Sequence, residues 1–117
     1  MTVQHVLSVV SVRDLAAAEA FYARLLDRAP DNRPMPSLVE WQVVPGAWVQ
    51  AYVDPGLAGS SRLNLAVDDL DAEREALRAR GLDPQPVVEA SRGVRLCALT
   101  DPDGNVVTVI GGFRVEY

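Results

Sequence analysis

The sequence predicts an α+β fold made of two copies of one unit, each a strand, a helix and three further strands. Three observations predict it. Asp101-Pro102-Asp103-Gly104-Asn105 is a tight turn that feeds the short β-branched run Val106–Ile110. Pro102 sets φ near the value that a turn requires, Asp103, Gly104 and Asn105 tolerate positive φ, and the run after them reads as a buried strand. Val12-Arg13-Asp14-Leu15 lines up with Val67-Asp68-Asp69-Leu70, 55 positions later, and the turn Pro45-Gly46 lines up with Asp103-Gly104, 58 positions later. One such unit leaves a sheet face that it cannot bury alone, whereas two together can.

The elements follow in order. Val3–Val12 is dominated by Val, Leu and Ser, has no Gly or Pro, and reads as the first strand. Asp14 is placed as a helix N-cap. Leu15, Ala18, Phe21, Tyr22, Leu25 and Leu26 then recur at helical spacing, and Ala29-Pro30 is the expected stop. Residues 31–36 are polar and Pro-rich and read as a loop, with room for a short edge strand. Leu38–Val44, with Trp41 at its centre, and Trp48–Val53 are strands joined by Pro45-Gly46. Asp54–Ser61 is the one linker-like stretch. It divides a single domain, 1–117, into module one (about 1–57) and module two (about 58–117). In module two, Leu63–Val67 is a strand and Asp69 caps a helix that carries Asp71 and Glu73 in its first turn, where the helix dipole favours acids. Gly81 stops that helix. Gln85–Glu89, Val94–Thr100 and Val106–Ile110 complete the unit, and Phe113–Tyr117 is a tail.

Composition narrows the function classes. With 117 residues, 49% hydrophobic and 23% charged, the chain is expected to be one soluble globular domain. A net charge of −5 argues against a nucleic-acid partner. No apolar run is long enough to span a bilayer and no basic-then-apolar leader opens the chain, so a cytoplasmic protein without a membrane partner is expected. Cys97 is the only cysteine, which excludes an intrachain disulfide and a cysteine-based zinc site. It reads as a buried small hydrophobe. All eleven basic residues are Arg, a hint of a GC-rich, bacterial coding sequence. Asp68–Asp71 lacks the spaced oxygen ligands of a Ca²⁺ loop and is better explained as helix capping. Ser60-Ser61 has no second His to serve as its base, and no Gly-rich phosphate loop is present.

Val12-Arg13-Asp14-Leu15 with Phe21-Tyr22 and Leu25-Leu26, Val67-Asp68-Asp69-Leu70, and Asp101-Pro102-Asp103-Gly104-Asn105 together resemble the vicinal oxygen chelate superfamily. That superfamily includes glyoxalase I, bleomycin and fosfomycin resistance proteins, and extradiol dioxygenases. The resemblance covers nearly the whole chain. It implies two βαβββ modules whose mixed sheets curl into a cup with the helices outside, a site on the concave face, and a homodimer, in some members with cups built from modules of two chains. In metal-dependent members, His, Glu or Gln ligands come from the first and last strand of each module. Here those positions read Leu7, Gln50, Arg62 and Thr108. Leu cannot ligate, Arg is a permanent cation and Thr is a weak neutral donor, so only Gln50 fits the pattern. His5, the single His, lies two residues before Leu7 and therefore points to the same face. It reads as a strand-end His, a hydrogen-bonding group in the pocket, or a ligand after a register shift.

The lining implied by this resemblance is His5, Leu7 and Val9, then Trp48, Gln50 and Tyr52, then Arg62, Asn64 and Ala66, and finally Val106, Thr108 and Ile110. Trp41 is a further candidate whose face is not fixed, and each aromatic residue has a plain alternative as core filling. The ligand-binding set is thus His5, Leu7, Trp41, Trp48, Gln50, Tyr52, Arg62, Asn64 and Thr108, with no metal and no cofactor. Aromatic walls suit stacking, and Arg62 suits a carboxylate or phenolate. The expected function is a metal-free protein that binds, and so sequesters, a planar or anionic small molecule such as an antibiotic. The alternatives are an enzyme of the same fold (a lyase, isomerase or dioxygenase, metal-dependent through Gln50 and His5 or working by acid–base chemistry) and a dimeric interaction module without a ligand.

Overall fold

A computed structural model describes residues 1–117. Module one runs β1 (Val6–Val12), α1 (Leu15–Leu26), β2 (Asn32–Met35), β3 (Leu38–Val44) and β4 (Ala47–Val53). Module two repeats the plan as β5 (Arg62–Val67), α2 (Leu70–Ala79), β6 (Val88–Glu89), β7 (Arg95–Thr100) and β8 (Val106–Gly111). Each module forms a mixed four-stranded sheet, in the orders β1-β4-β3-β2 and β5-β8-β7-β6. In both, the first strand lies parallel to the last and the remaining pairs are antiparallel. The expected α+β architecture of two βαβββ modules is what the chain adopts.

The helices begin where their caps require. The Asp14 side chain accepts from the backbone N–H groups of Ala16 (3.0 Å) and Ala17 (3.3 Å), and Asp69 accepts from Ala72 (3.0 Å). Each helix covers one face of its own sheet, and alternation along the strands decides which residues meet it. Val10 and Val12 of β1, Val49 and Ala51 of β4, and Val39 and Trp41 of β3 are at most 1% exposed and pack with Ala18, Tyr22 and Leu25 of α1. Leu63, Cys97, Leu99, Val107 and Val109 do the same beneath Leu70 and Leu77 of α2. Burying each large apolar side chain in this way contributes about 1.5–3 kcal/mol. Burial also pushes the Cys97 thiol up, which agrees with its reading as a small hydrophobe. No helix is long and apolar enough to cross a membrane.

Several boundaries differ from expectation, each for a local reason. The first strand starts at Val6, where the Val6 N–H finds the Gly46 carbonyl at 2.7 Å; His5 therefore just precedes it. α1 ends one residue before Asp27, which takes a left-handed φ of 58° and closes the helix ahead of Ala29-Pro30. Residues 32–35 do pair as an edge strand, with a register shift around Pro34, which has no N–H to give. β6 shrinks to Val88–Glu89 because Pro84 and Pro86 remove donors upstream. In the turn after β7, only Gly104 takes positive φ. Asp103 and Asn105 keep ordinary values because the Asp101 carboxylate holds both of their N–H groups at 2.9 Å.

That turn also joins the modules. Asn105, 1% exposed, donates from Nδ2 to the Ser11 carbonyl (2.8 Å) and accepts at Oδ1 from the Ser61 N–H (2.8 Å). The Ser61 hydroxyl accepts from the Ser11 N–H at 3.0 Å, and Tyr22 donates its hydroxyl to Asp101 at 2.9 Å. No buried side-chain polar atom in the chain lacks a partner.

Candidate functional site on the open sheet faces

The strand registers fix which residues share the face turned away from the helices. In module one, Leu7 stands opposite Trp48, Val9 opposite Gln50 and Ser11 opposite Tyr52. Across the other edge of β4, Trp48 faces Gln42, Gln50 faces Glu40 and Tyr52 faces Leu38, while Glu40 faces Asn32. Paired residues lie on one side of a sheet, so Leu7, Trp48, Gln50 and Tyr52 form one surface with His5 at its end. In module two, Arg62 pairs with Val106, Asn64 with Thr108 and Ala66 with Ile110. Arg62, Asn64 and Thr108 thus share the corresponding face of the second sheet. Trp41 does not join either face. It lies on the helix side, fully buried, with its ring 6.3 Å from that of Tyr22 and its Nε1–H donated to the Arg28 carbonyl at 3.0 Å. Its parity along β3 is opposite to that of Glu40, and this is the physical reason it cannot line the open face.

The two faces of the first sheet differ sharply in solvent contact. Val10 and Val12 are sealed, whereas Leu7 is 49% exposed, Val9 50% and Tyr52 36%. Apolar side chains left uncovered on one continuous face mark an interaction surface. Two polar arrangements sit on it. Trp48 donates its indole N–H to Nδ1 of His5 at 3.0 Å, with ring centroids 6.1 Å apart. Gln50 donates from Nε2 to Oε1 of Glu40 at 2.9 Å, and Asn32 donates from Nδ2 to Oε2 of Glu40 at 3.2 Å.

A divalent metal, which the resemblance implies for metal-dependent members, does not match these donors. Leu7 offers no donor, Arg62 a fixed positive charge and Thr108 a neutral hydroxyl. No three His, Cys, Asp or Glu side chains lie close enough together to hold an ion. His5 does not repair the set. Leu7 is opposite Trp48, so His5 lies about four residues, or roughly 13 Å, down the sheet from Gln50. A groove of about 700 Å³ opens elsewhere, between the end of α1, the β3–β4 turn, β5 and α2, and is lined by Leu25, Val43, Leu65, Leu77 and Arg80. It meets the open face only at Asn64 and Ala66. Its one cation is committed: Arg80 donates to the carbonyls of Arg24 (2.5 Å) and Leu25 (3.1 Å).

Glu40 and Asn32 are open-face residues that the sequence reading did not include. The signal was available: Glu40 alternates with Val39 and Trp41 in a strand, so once Trp41 is core, Glu40 must point the other way.

The chain matches the glyoxalase-like domain model over residues 8–110. No curated protein sequence matches it. Among solved structures, a glyoxalase/bleomycin resistance protein from Catenulispora acidiphila is 30% identical, with a TM-score of 0.85 over 92% of this chain and 96% of that one. TnmS3, an antibiotic binding protein from a Streptomyces species, is 26% identical, with a TM-score of 0.77 over 95% of this chain and 98% of that one. A bleomycin-binding protein complexed with bleomycin is 23% identical, with a TM-score of 0.76 over 96% of this chain and all of that one, and shares the fold. With a family model spanning most of its length and a near-complete relative at this identity, the chain belongs to the glyoxalase-like family, within the glyoxalase/bleomycin resistance group of the vicinal oxygen chelate superfamily.

Proposed function

We propose that this protein is a metal-free small-molecule binder that acts as a homodimer in the cytoplasm and sequesters a planar aromatic compound such as an antibiotic. One observation carries the reading: the open face of module one combines exposed apolar and aromatic groups (Leu7, Val9, Tyr52) and a half-buried Trp48 with a few fixed polar ones, on a sheet face that no helix of its own module covers. Apolar walls with a few placed polar groups suit a flat ligand. Arg62, on the second sheet, supplies a contact for an anionic group. The antibiotic-binding relatives support this class of ligand. The bare faces also support dimerisation, since a second copy would cover them and close the site.

A melting screen with bleomycin and a panel of planar aromatic antibiotics tests the binding role. A ligand that binds only the folded state raises stability by about 2.7 kcal/mol at a hundredfold excess over its Kd. At least one compound should raise Tm and quench Trp48 emission, and Trp48→Leu should lose both effects. A flat response across the panel would favour a dimeric interaction module instead. Sedimentation should show a dimer at micromolar concentration, converted to monomer by Leu7→Glu; wild-type protein that stays monomeric would refute the assembly.

A further inference from the structure

We propose that Glu40 is the specificity-determining residue of the open face, and that it selects ligands carrying a positively charged hydrogen-bonding group such as an amidinium, guanidinium or ammonium. This rests on the binding function proposed above and adds the charge that the ligand must bear.

The carboxylate is held in place without being neutralised. Its two partners, Gln50 Nε2 at 2.9 Å and Asn32 Nδ2 at 3.2 Å, are both uncharged amides. None of the chain's ion pairs includes Glu40. Arg33, the cation on neighbouring β2, is bound to Glu19 of α1 instead, and His5 is bonded to Trp48, about four residues along the sheet from the Glu40–Gln50 pair. A carboxylate has about four lone-pair positions, and the two amides occupy one on each oxygen. A second donor can therefore reach each oxygen, which is the fork that an amidinium presents.

The surroundings suit the same group. Glu40 stands opposite Gln50, and Trp48 and Tyr52 flank Gln50 on the same face of β4. The carboxylate thus has an aromatic side chain on either diagonal, and a delocalised cation can bond to it while its own plane meets a ring. Arg62 on the second sheet is the corresponding open-face cation, so the open faces of β3 and β5 carry groups of opposite charge.

The test uses three planar probes of one shape: benzamidine, benzamide and benzoate. Each is titrated to millimolar concentration into the whole protein, with calorimetry and tryptophan emission as readouts. Wild-type protein should bind benzamidine on the order of tenfold more tightly than benzamide, with benzoate displaced from that preference. In Glu40→Gln, benzamidine and benzamide should bind alike, with the fold verified by circular dichroism. Equal affinities for the two probes on wild-type protein overturn the proposal whether or not the variant folds. So does a Glu40→Gln protein that keeps the preference. If Glu40 instead pairs with Arg62 of a second copy, wild-type protein shows no preference and both Glu40→Gln and Arg62→Gln weaken the dimer, which also overturns it. If none of the three probes binds while other planar compounds do, the charge selection fails alone. If nothing planar binds, the binding function fails with it.

Discussion

Tyr22 donates its hydroxyl to Asp101 across 2.9 Å, although 79 positions separate them in the chain. The bond runs from the helix of the first module to the last turn of the second. Tyr22→Phe deletes it and leaves Asp101 Oδ2 with its remaining donor, Asn105 Nδ2 at 2.8 Å. Because that oxygen stays satisfied, the expected cost is near the low end of the usual range, about 1–2 kcal/mol, read as a lowered denaturation midpoint at unchanged slope.

The same pair predicts a loss of stability in base. Burial pushes the Tyr22 phenol far above its ordinary value, and the Asp101 carboxylate adds to the shift by its charge and its hydrogen bond. The folded-state pKa is raised above the unfolded one. The contribution is therefore complete below the unfolded tyrosine value of about 10 and falls progressively as pH rises beyond it. Denaturant melts from pH 8 to 11 should show this decline in wild-type protein and a flatter one in Tyr22→Phe. Equal slopes would mean that Tyr22 ionises freely in the native state.

Asn105 should be the least replaceable residue of the junction. Asn105→Ala strands the Ser61 N–H and the Ser11 carbonyl, each at a cost of about 1–3 kcal/mol. Asn105→Asp should be worse at neutral pH, because it sets an oxygen against two acceptors, the Ser11 carbonyl and Asp101 Oδ2. Acid should partly rescue the Asp variant and not the Ala variant. Melting temperatures at pH 7 and pH 5 separate the two cases.

These residues show where sequence reading succeeds and where it stops. The two modules were legible because strand alternation, Asp caps and turn glycines are local signals, and the offsets of 55 and 58 positions repeat them. Asn105 read as a turn residue because its spacing beside Gly104 says only that. Its bridging role depends on Ser11 and Ser61, which are 94 and 44 positions away. Trp41 was ambiguous for a related reason: a central Trp suits a pocket wall and a core equally, and only pairing with β4 fixes its side. Glu40 became visible as an open-face group once that side was known.

Gly59 and Gly104 both have positive φ but should respond differently to alanine. A Cβ on Gly59, at φ +90°, would lie 2.6 Å from the Asp103 carbonyl oxygen, a backbone atom that cannot swing aside. A Cβ on Gly104, at φ +95°, meets nothing within 4 Å. Gly104→Ala should therefore carry only the conformational penalty, about 1 kcal/mol, and Gly59→Ala distinctly more, about 2 kcal/mol or above, because the linker must pull away from the turn. Equal losses in Tm would show that the linker is not seated against Asp103.

Metal content gives the most direct check on the proposed chemistry. Leu7 lies diagonally across from Gln50, since Leu7 pairs with Trp48, and Arg62 lies diagonally across from Thr108, since Arg62 pairs with Val106. Each pair is adjacent on its own sheet, but three of the four side chains lack a metal donor. The guanidinium of Arg62 places a permanent positive charge where a cation would sit, and no accessible pH removes it. Protein dialysed against Zn²⁺, Mn²⁺, Fe²⁺ or Ni²⁺ and then against buffer should retain less than one equivalent by elemental analysis. Replacing Leu7 by His, Arg62 by His and Thr108 by Glu should restore donors beside Gln50. Stoichiometric binding is expected in that triple variant and in none of the single ones, because three or four ligands must act together. Retention of one metal ion per site by the wild-type protein would place the donors elsewhere, with Glu40 and His5 the first to replace, and would favour an enzyme of the same fold over the proposed binding role.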